Sequence, residues 1–303
     1  MTFYNNHLGE FAALLTAVFW TVTSLSFEHA SHKIGSVAVN IIRLIIGFAF
    51  LSVFNLIRRG FVLPVDAGLE NWIWLSLSGL VGFVFGDLFL FKSYTMIGSR
   101  FSMLIMTLVP PITAFFSFFI LGERLGLYHF LGMILTFSGI AMAIFSRSAK
   151  DEKFSLKLAP KGIIYALGGA VGQALGLVLS KLGMKSYDPF AATQIRIIAG
   201  IFGYVLLVTI LARWNTVRNA IYNRSGMLLT GLGAFFGPFL GVSFSLIAIK
   251  YTEAGIASTI MALVPVFIII PAVFIYKQKV TLPEILGAIV SVSGVALFFC
   301  SLI

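Results

Sequence analysis

The chain has 303 residues, of which 59% are hydrophobic and only 11% charged, with a mean hydropathy of +1.02 and a net charge of +10. A soluble domain carries about 25% charged residues, so a fold bathed in water on all sides is excluded, and the surplus Lys and Arg reads as loop charge beside a bilayer rather than as a footprint for nucleic acid. Cys300 is the only cysteine, which excludes an intramolecular disulfide and a thiolate metal cluster.

A helix that crosses a bilayer needs roughly 20 mostly apolar residues. Ten stretches meet that need, at about 11–28, 35–57, 72–92, 99–121, 127–146, 162–182, 190–212, 226–249, 255–276 and 282–302. Backbone polar groups have no water partner in lipid, so these stretches are helical. The expected fold class is therefore an all-α membrane protein with ten transmembrane helices and no room for a soluble catalytic domain. The start, MTFYNNHLGE, lacks a basic segment, and the first span is read as retained.

In chain order, the first span carries Trp20 at mid-depth, which is either packed bulk or the wall of a cavity. The second carries Arg43, which either holds a substrate carboxylate or snorkels toward the interface. Arg58 to Asn71 is a polar break, and Trp72 and Trp74 beyond it suit the headgroup belt. The third span holds Gly79, Gly82 and Gly86 at close-packing spacing, then Asp87, then Tyr94. An ionisable residue at membrane depth marks function by default. Asp87 is thus expected to bind a substrate amine or exchange a proton; a pair with Lys92, five residues on, is poorly aligned on a helix. The fourth span contains Pro110 and Pro111, which free a carbonyl and kink the helix, for gating or for shape.

Ser146 to Gly162 is the longest polar stretch and reads as a surface linker. The sixth span has Gln173 within a glycine cluster, and the seventh has Arg196. Arg213 to Gly226 is polar, with Trp214 at its edge; the eighth span follows with four clustered glycines, Ser243 and Ser245. Pro265 and Pro271 lie in the ninth. His7, His29, His32 and His129 are dispersed near span ends, no metal site is expected, and no phosphate-binding loop is present.

The chain also reads twice. Arg43 in NIIRLIIG matches Arg196 in TQIRIIAG, a shift of 153. Pro110 in IMTLVPPI matches Pro265 in IMALVPVF, and LGMILTFSGIAMA matches LGAIVSVSGVALF, each a shift of 155. Trp20 then pairs with Gln173. This divides the chain into 1–147, a linker at 148–161, and 162–303, with five spans in each half. An odd number of spans per half inverts the second against the first, and inverted repeats place a solute site near the midplane, at their interface. With both termini cytoplasmic, six loop cations would lie inside and thirteen outside, so the positive-inside rule favours external termini.

The segments AVFWTVTSL, LVPPITAFFSFFILGERLGLYHFLGMILTFSGIAMA and KYTEAGIASTIMALVPVFIII…LPEILGAIVSVSGVAL resemble the EamA family of the drug/metabolite transporter superfamily, over essentially the whole chain. One departure is Gln278, in YKQK, where the first half has Glu123 in LGER. The resemblance implies ten helices in two inverted five-helix repeats around a central cavity. It implies export or exchange of small metabolites such as amino acids across the inner membrane, and cytoplasmic termini, which the expected topology follows. Proton coupling at Asp87, and a cavity bounded by Trp20, Asp87, Gln173, Tyr94, Ser243, Arg43 and Arg196, complete the reading. An exporter of toxic compounds, or a structural or sensory membrane protein without a cavity, are the alternatives; oligomeric state is open.

Overall fold

A computed structural model describes residues 7–148, 160–268, 271 and 282–300. Among them the chain is helical, with no strand. Helix α1 spans Leu8–Ile34 and α2 spans Ser36–Arg59. Gly35 (φ 83°) and Gly60 (φ 76°) end them in conformations that only glycine adopts without strain, and Gly60 N–H donates to the Leu56 carbonyl, closing α2.

The third span is composite. Helix α3, Leu69–Gly79, runs into a π-helical segment, Leu80–Gly86, and then into α4, Asp87–Met106. Within α4 the Ser93 hydroxyl donates to Ser102 Oγ at 2.7 Å. Nine residues along a straight helix would be about 13 Å apart, so the helical path doubles back between them: the third span ends there and the fourth begins. The chain breaks again at Thr107–Leu108 before α5, Val109–Leu121, and α6, Leu127–Ser148.

After the linker come α7, Pro160–Met184, and α8, Pro189–Ile210. Asp188 caps α8 by accepting from the N–H groups of Phe190 and Ala191, at 3.1 and 3.0 Å. A short surface helix, α9, Trp214–Tyr222, leads to α10, Arg224–Ala234, a second π segment, Phe235–Gly241, and α11, Val242–Tyr251. Then come α12, Ala254–Met261, α13, Val264–Phe267, and α14, Leu282–Cys300. The linker core at 149–159, the YKQK motif and the side chain of Cys300 lie outside the described residues.

Six helices are long and apolar enough to cross a membrane: Leu8–Ile34, Ser36–Arg59, Leu69–Ile97, Pro160–Met184, Pro189–Ile210 and Arg224–Tyr251. Four shorter apolar helices, Val109–Leu121, Leu127–Met142, Ala254–Phe267 and Ile285–Leu297, occupy the remaining expected positions. The difference from ten equal spans has a cause at the prolines. Pro110 and Pro265 do not kink continuous helices; each sits in the first turn of a new one, α5 and α13, where its missing N–H is tolerated. The chain opens just before each, at Thr107–Leu108 and Ala262–Leu263, positions 155 apart. Pro111 is exposed and Pro110 buried, while Pro271 is half-buried with its neighbours outside the described residues.

The two π segments are also 155 apart and both seven residues long. Sequences LVGFVFG and FFGPFLG explain them: glycines weaken the α-helix, and Pro238 cannot donate its backbone bond. Each composite span receives the first helix of the opposite half. Glycines make that approach possible, since a Cβ on Gly176 would stand 2.9 Å from the Gly82 Cα, and one on Gly241 would stand 2.7 Å from the Trp20 ring. Helices α6 and α14 cross the same way: a Cβ on Gly294 would reach 2.6 Å from the Thr136 nitrogen, and Gly139 answers it against Ser291.

The interior is largely apolar, and so is the exterior. Asn40, Asp87, Thr193 and Gln194 are buried, while Val53, Phe119, Phe202, Ile210 and Leu228 face outward. Such an apolar exterior belongs in lipid.

Candidate functional site

A cavity opens where the halves meet, lined from both. Its volume is ≈ 140 Å³, room for a small solute. Trp20, Arg43, Asp87, Tyr94, Gln173 and Arg196, six of the seven residues expected from sequence, line it together. Ser243 does not. Its hydroxyl is fully buried in packing without a hydrogen-bond partner, and Ser245 lines the cavity instead. Two residues on a helix point about 200° apart, so only one of these serines can face the solute.

The wall between these polar groups is aromatic and sulfur-rich: Phe27, Phe83, Phe91, Met103, Met106 and Met261. Sequence reasoning missed these, although Phe27 lies seven residues from Trp20, and Phe83 and Phe91 four either side of Asp87, which is one helix face.

Asp87 is not free to take an amine. One carboxylate oxygen is ion-paired to an Nη of Arg43, and the other accepts from Nε2 of Gln173. Arg43 is further held by its Nε donating to Asn40 Oδ1 at 2.9 Å. Asn40, Arg43 and Asp87 lie out of water, Asp87 at 5% exposure and Arg43 at 4%, where an unpaired charge is costly and a paired one is tolerated; Gln173 is half-buried. Arg43 is ringed by aromatics, its guanidinium 5.5, 5.7 and 5.1 Å from the ring centres of Phe27, Phe83 and Phe91. Arg196 differs. It is as buried as Arg43 and lies 4.8 Å over the same Phe83 ring, but its Nε has no hydrogen-bond partner. The π segment is pinned nearby, where the Tyr204 hydroxyl donates to the Phe83 carbonyl at 2.9 Å.

A second polar cluster lies toward the N-terminal end of α1. Glu10 and Trp20 are ten residues apart on that helix, about 15 Å. Here Glu123, in the turn between α5 and α6, pairs with Lys181 at 2.6 Å and accepts from the Ala254 N–H at 2.9 Å. Lys181 also donates to the Thr252 carbonyl at 2.6 Å, and the Thr252 hydroxyl donates to Glu10 at 3.3 Å. Glu123 and Glu10 come from one half, and Lys181, Thr252 and Ala254 from the other, so the cluster ties the halves together. On the same face Arg58 pairs with Asp188, Arg59 with Asp66, and Lys185 with Glu70. Lys185 and Glu70 are mostly exposed, and water and salt screen such pairs. The Glu123–Lys181 side chains are 10% and 24% exposed, so this tie is the stronger.

A polytopic helical membrane protein with a solute-sized hollow between two matched halves is the architecture of a membrane transporter. The model of the EamA-like transporter family matches residues 7–145 and again 160–300, and the chain belongs to that family. Human solute carrier family 35 member G1 is 23% identical over 95% of this chain and 77% of its own length. An uncharacterized transporter of Clostridium kluyveri is 25% identical over 59% of this chain and 56% of its own length. A solved crystal structure superposes with a TM-score of 0.73 over 96% of this chain and 95% of the other, at 17% identity, a likeness of fold.

Proposed function

We propose that this protein is a secondary transporter with ten spans in two inverted five-helix repeats, residues 1–147 and 162–303, joined by 148–161. It moves small metabolites, amino acids or related compounds, outward across the inner membrane by alternating access. The observation that carries this reading is the hollow itself: it is lined from both halves, holds a buried ionic cluster, and lies some 15 Å from an ionic tie on one face. A cavity for apolar drugs alone would not retain three buried charges, since each costs several kcal/mol to desolvate unless something uses it. The tie seals the face on which α1 begins, and transport requires it to break and the opposite face to close. Reconstitution tests the reading. Proteoliposomes are expected to show saturable, ATP-independent counterflow of at least one compound from a panel of amino acids and small organic acids; exchange no faster than in protein-free vesicles, across the panel, would refute it.

The two termini lie in the cytoplasm, which puts the linker outside. In a Cys300→Ser background, Ser155→Cys is expected to react in intact cells with a maleimide that cannot cross membranes. Protection of that thiol until the cells are lysed would reverse the orientation.

A further inference from the structure

The two membrane arginines occupy equivalent places in the repeats, yet only one is neutralised. Arg43 has Asp87 as counter-ion and Asn40 as acceptor. The same shifts that superpose the halves put Val242 where the first half has Asp87, and Thr193 where it has Asn40. Val242 offers no charge. Thr193 turns its hydroxyl to the Pro189 carbonyl of its own helix, at 2.8 Å. Arg196 is left with the face of Phe83, an Nε lacking a partner, and Asp87, whose two oxygens already serve Arg43 and Gln173. Among the described residues, the ionisable acid and base side chains lining the cavity are Arg43, Asp87 and Arg196, a sum of one positive charge when all three are ionised.

A buried guanidinium whose Nε lacks a partner is the shape that a carboxylate fits, through two parallel N–H···O bonds along the Nε edge. The rest of the wall, Trp20, Phe91, Met103 and Met261 among them, suits an apolar body. Resting on the transporter reading above, we propose that the solute is a small organic monocarboxylate with an apolar or aromatic body, and that Arg196 binds its carboxylate. The solute supplies the counter-ion that the second repeat lacks. The occupied cavity is then neutral, whereas a cationic amine would add to an existing positive charge.

The test uses detergent-solubilised full-length protein and four probes: 3-phenylpropionate, its amide, 3-phenylpropylamine and L-phenylalanine. A ligand that binds the folded form raises its melting temperature with concentration. 3-Phenylpropionate is expected to do so, and the amide and the amine are not. Arg196→Gln is expected to weaken the acid by about tenfold or more, and Arg196→Lys, a point charge without the planar fork, by less. Lys185→Gln, at the exposed surface, is expected to leave the response unchanged. If Arg196→Gln does not fold, the Arg196→Lys response decides. Equal stabilisation by the amide or amine, tighter binding of phenylalanine than of 3-phenylpropionate, or undiminished affinity for the acid in the Arg196 variants would overturn the proposal. Counterflow separates this from the broader reading. Exchange of other solutes with no response to the acid removes this inference and leaves transport standing; Arg196-dependent binding of the acid without exchange in vesicles does the reverse.

Discussion

Asp87→Asn is expected to abolish solute movement driven by a pH gradient in proteoliposomes while the protein still folds. Asparagine keeps the volume, and its amide oxygen still accepts one bond from Arg43, but it carries no charge and exchanges no proton. In this reading protonation of Asp87 loosens Arg43 and Gln173 from it, and so couples proton movement to the shape of the cavity. Asp87→Ala goes further and leaves Arg43 without a counter-ion among Phe27, Phe83 and Phe91. Breaking a buried pair from one side costs about 3–5 kcal/mol, so the melting temperature should fall in the order wild type, Asn, Ala. Arg43→Gln combined with Asp87→Asn should be less destabilised than the two single changes added together, since the pair is removed as a unit. Unchanged uptake across a pH gradient in Asp87→Asn would remove Asp87 from coupling, and strict additivity in the double variant would mean the pair contributes nothing jointly.

Glu123→Gln is expected to open the face on which α1 begins. It weakens the Lys181 pair and the bond from the Ala254 N–H, two charge-assisted contacts at 2.6 and 2.9 Å across the halves. A hydrogen bond to a charged group contributes about 1.5–3 kcal/mol, and a partly exposed ion pair less. Losing part of both should shift the balance between the sealed and open forms by roughly ten- to a hundredfold. The readout is a single thiol in a Cys300→Ser background, placed at Ser245 in the cavity. Its reaction with a polar maleimide supplied from that face of inside-out or right-side-out vesicles should quicken in Glu123→Gln. Lys185→Gln, which removes an exposed pair on the same face, should leave the rate where it was. Equal rates in all three proteins would show that the tie does not control access.

Much of the cavity was legible in the sequence because membrane physics makes polar residues conspicuous. Asp87, Arg43, Arg196 and Gln173 stand out in apolar stretches, and the repeat alignment placed Trp20 opposite Gln173. Pairing was not legible. Nothing in one sequence brings Arg43 to Asp87, 44 positions away, so the carboxylate looked available when it is engaged. The prolines gave the places of the breaks but not their form, because a proline inside a span and one starting a new helix look alike until the preceding backbone is seen. The π segments left only a weak trace in their glycines. Ser243 over Ser245 was a coin-toss that helix phase decides once the neighbouring helices are known. The tie at Glu123 was visible only as a family glutamate with no role attached.

That tie has no mirror image in the sequence. The position matching Glu123 in the other repeat holds Gln278, and the one matching Lys181 holds Glu28. A pair of repeats that were true copies would latch both gates with equal strength, and the protein would rest at either extreme equally often. Here a salt link guards one doorway, and an acid and an amide at the matching positions cannot form the same link with each other. The unloaded carrier should therefore idle with its hollow turned toward the linker side, and the slow stroke of its cycle should be the one that unlocks Lys181.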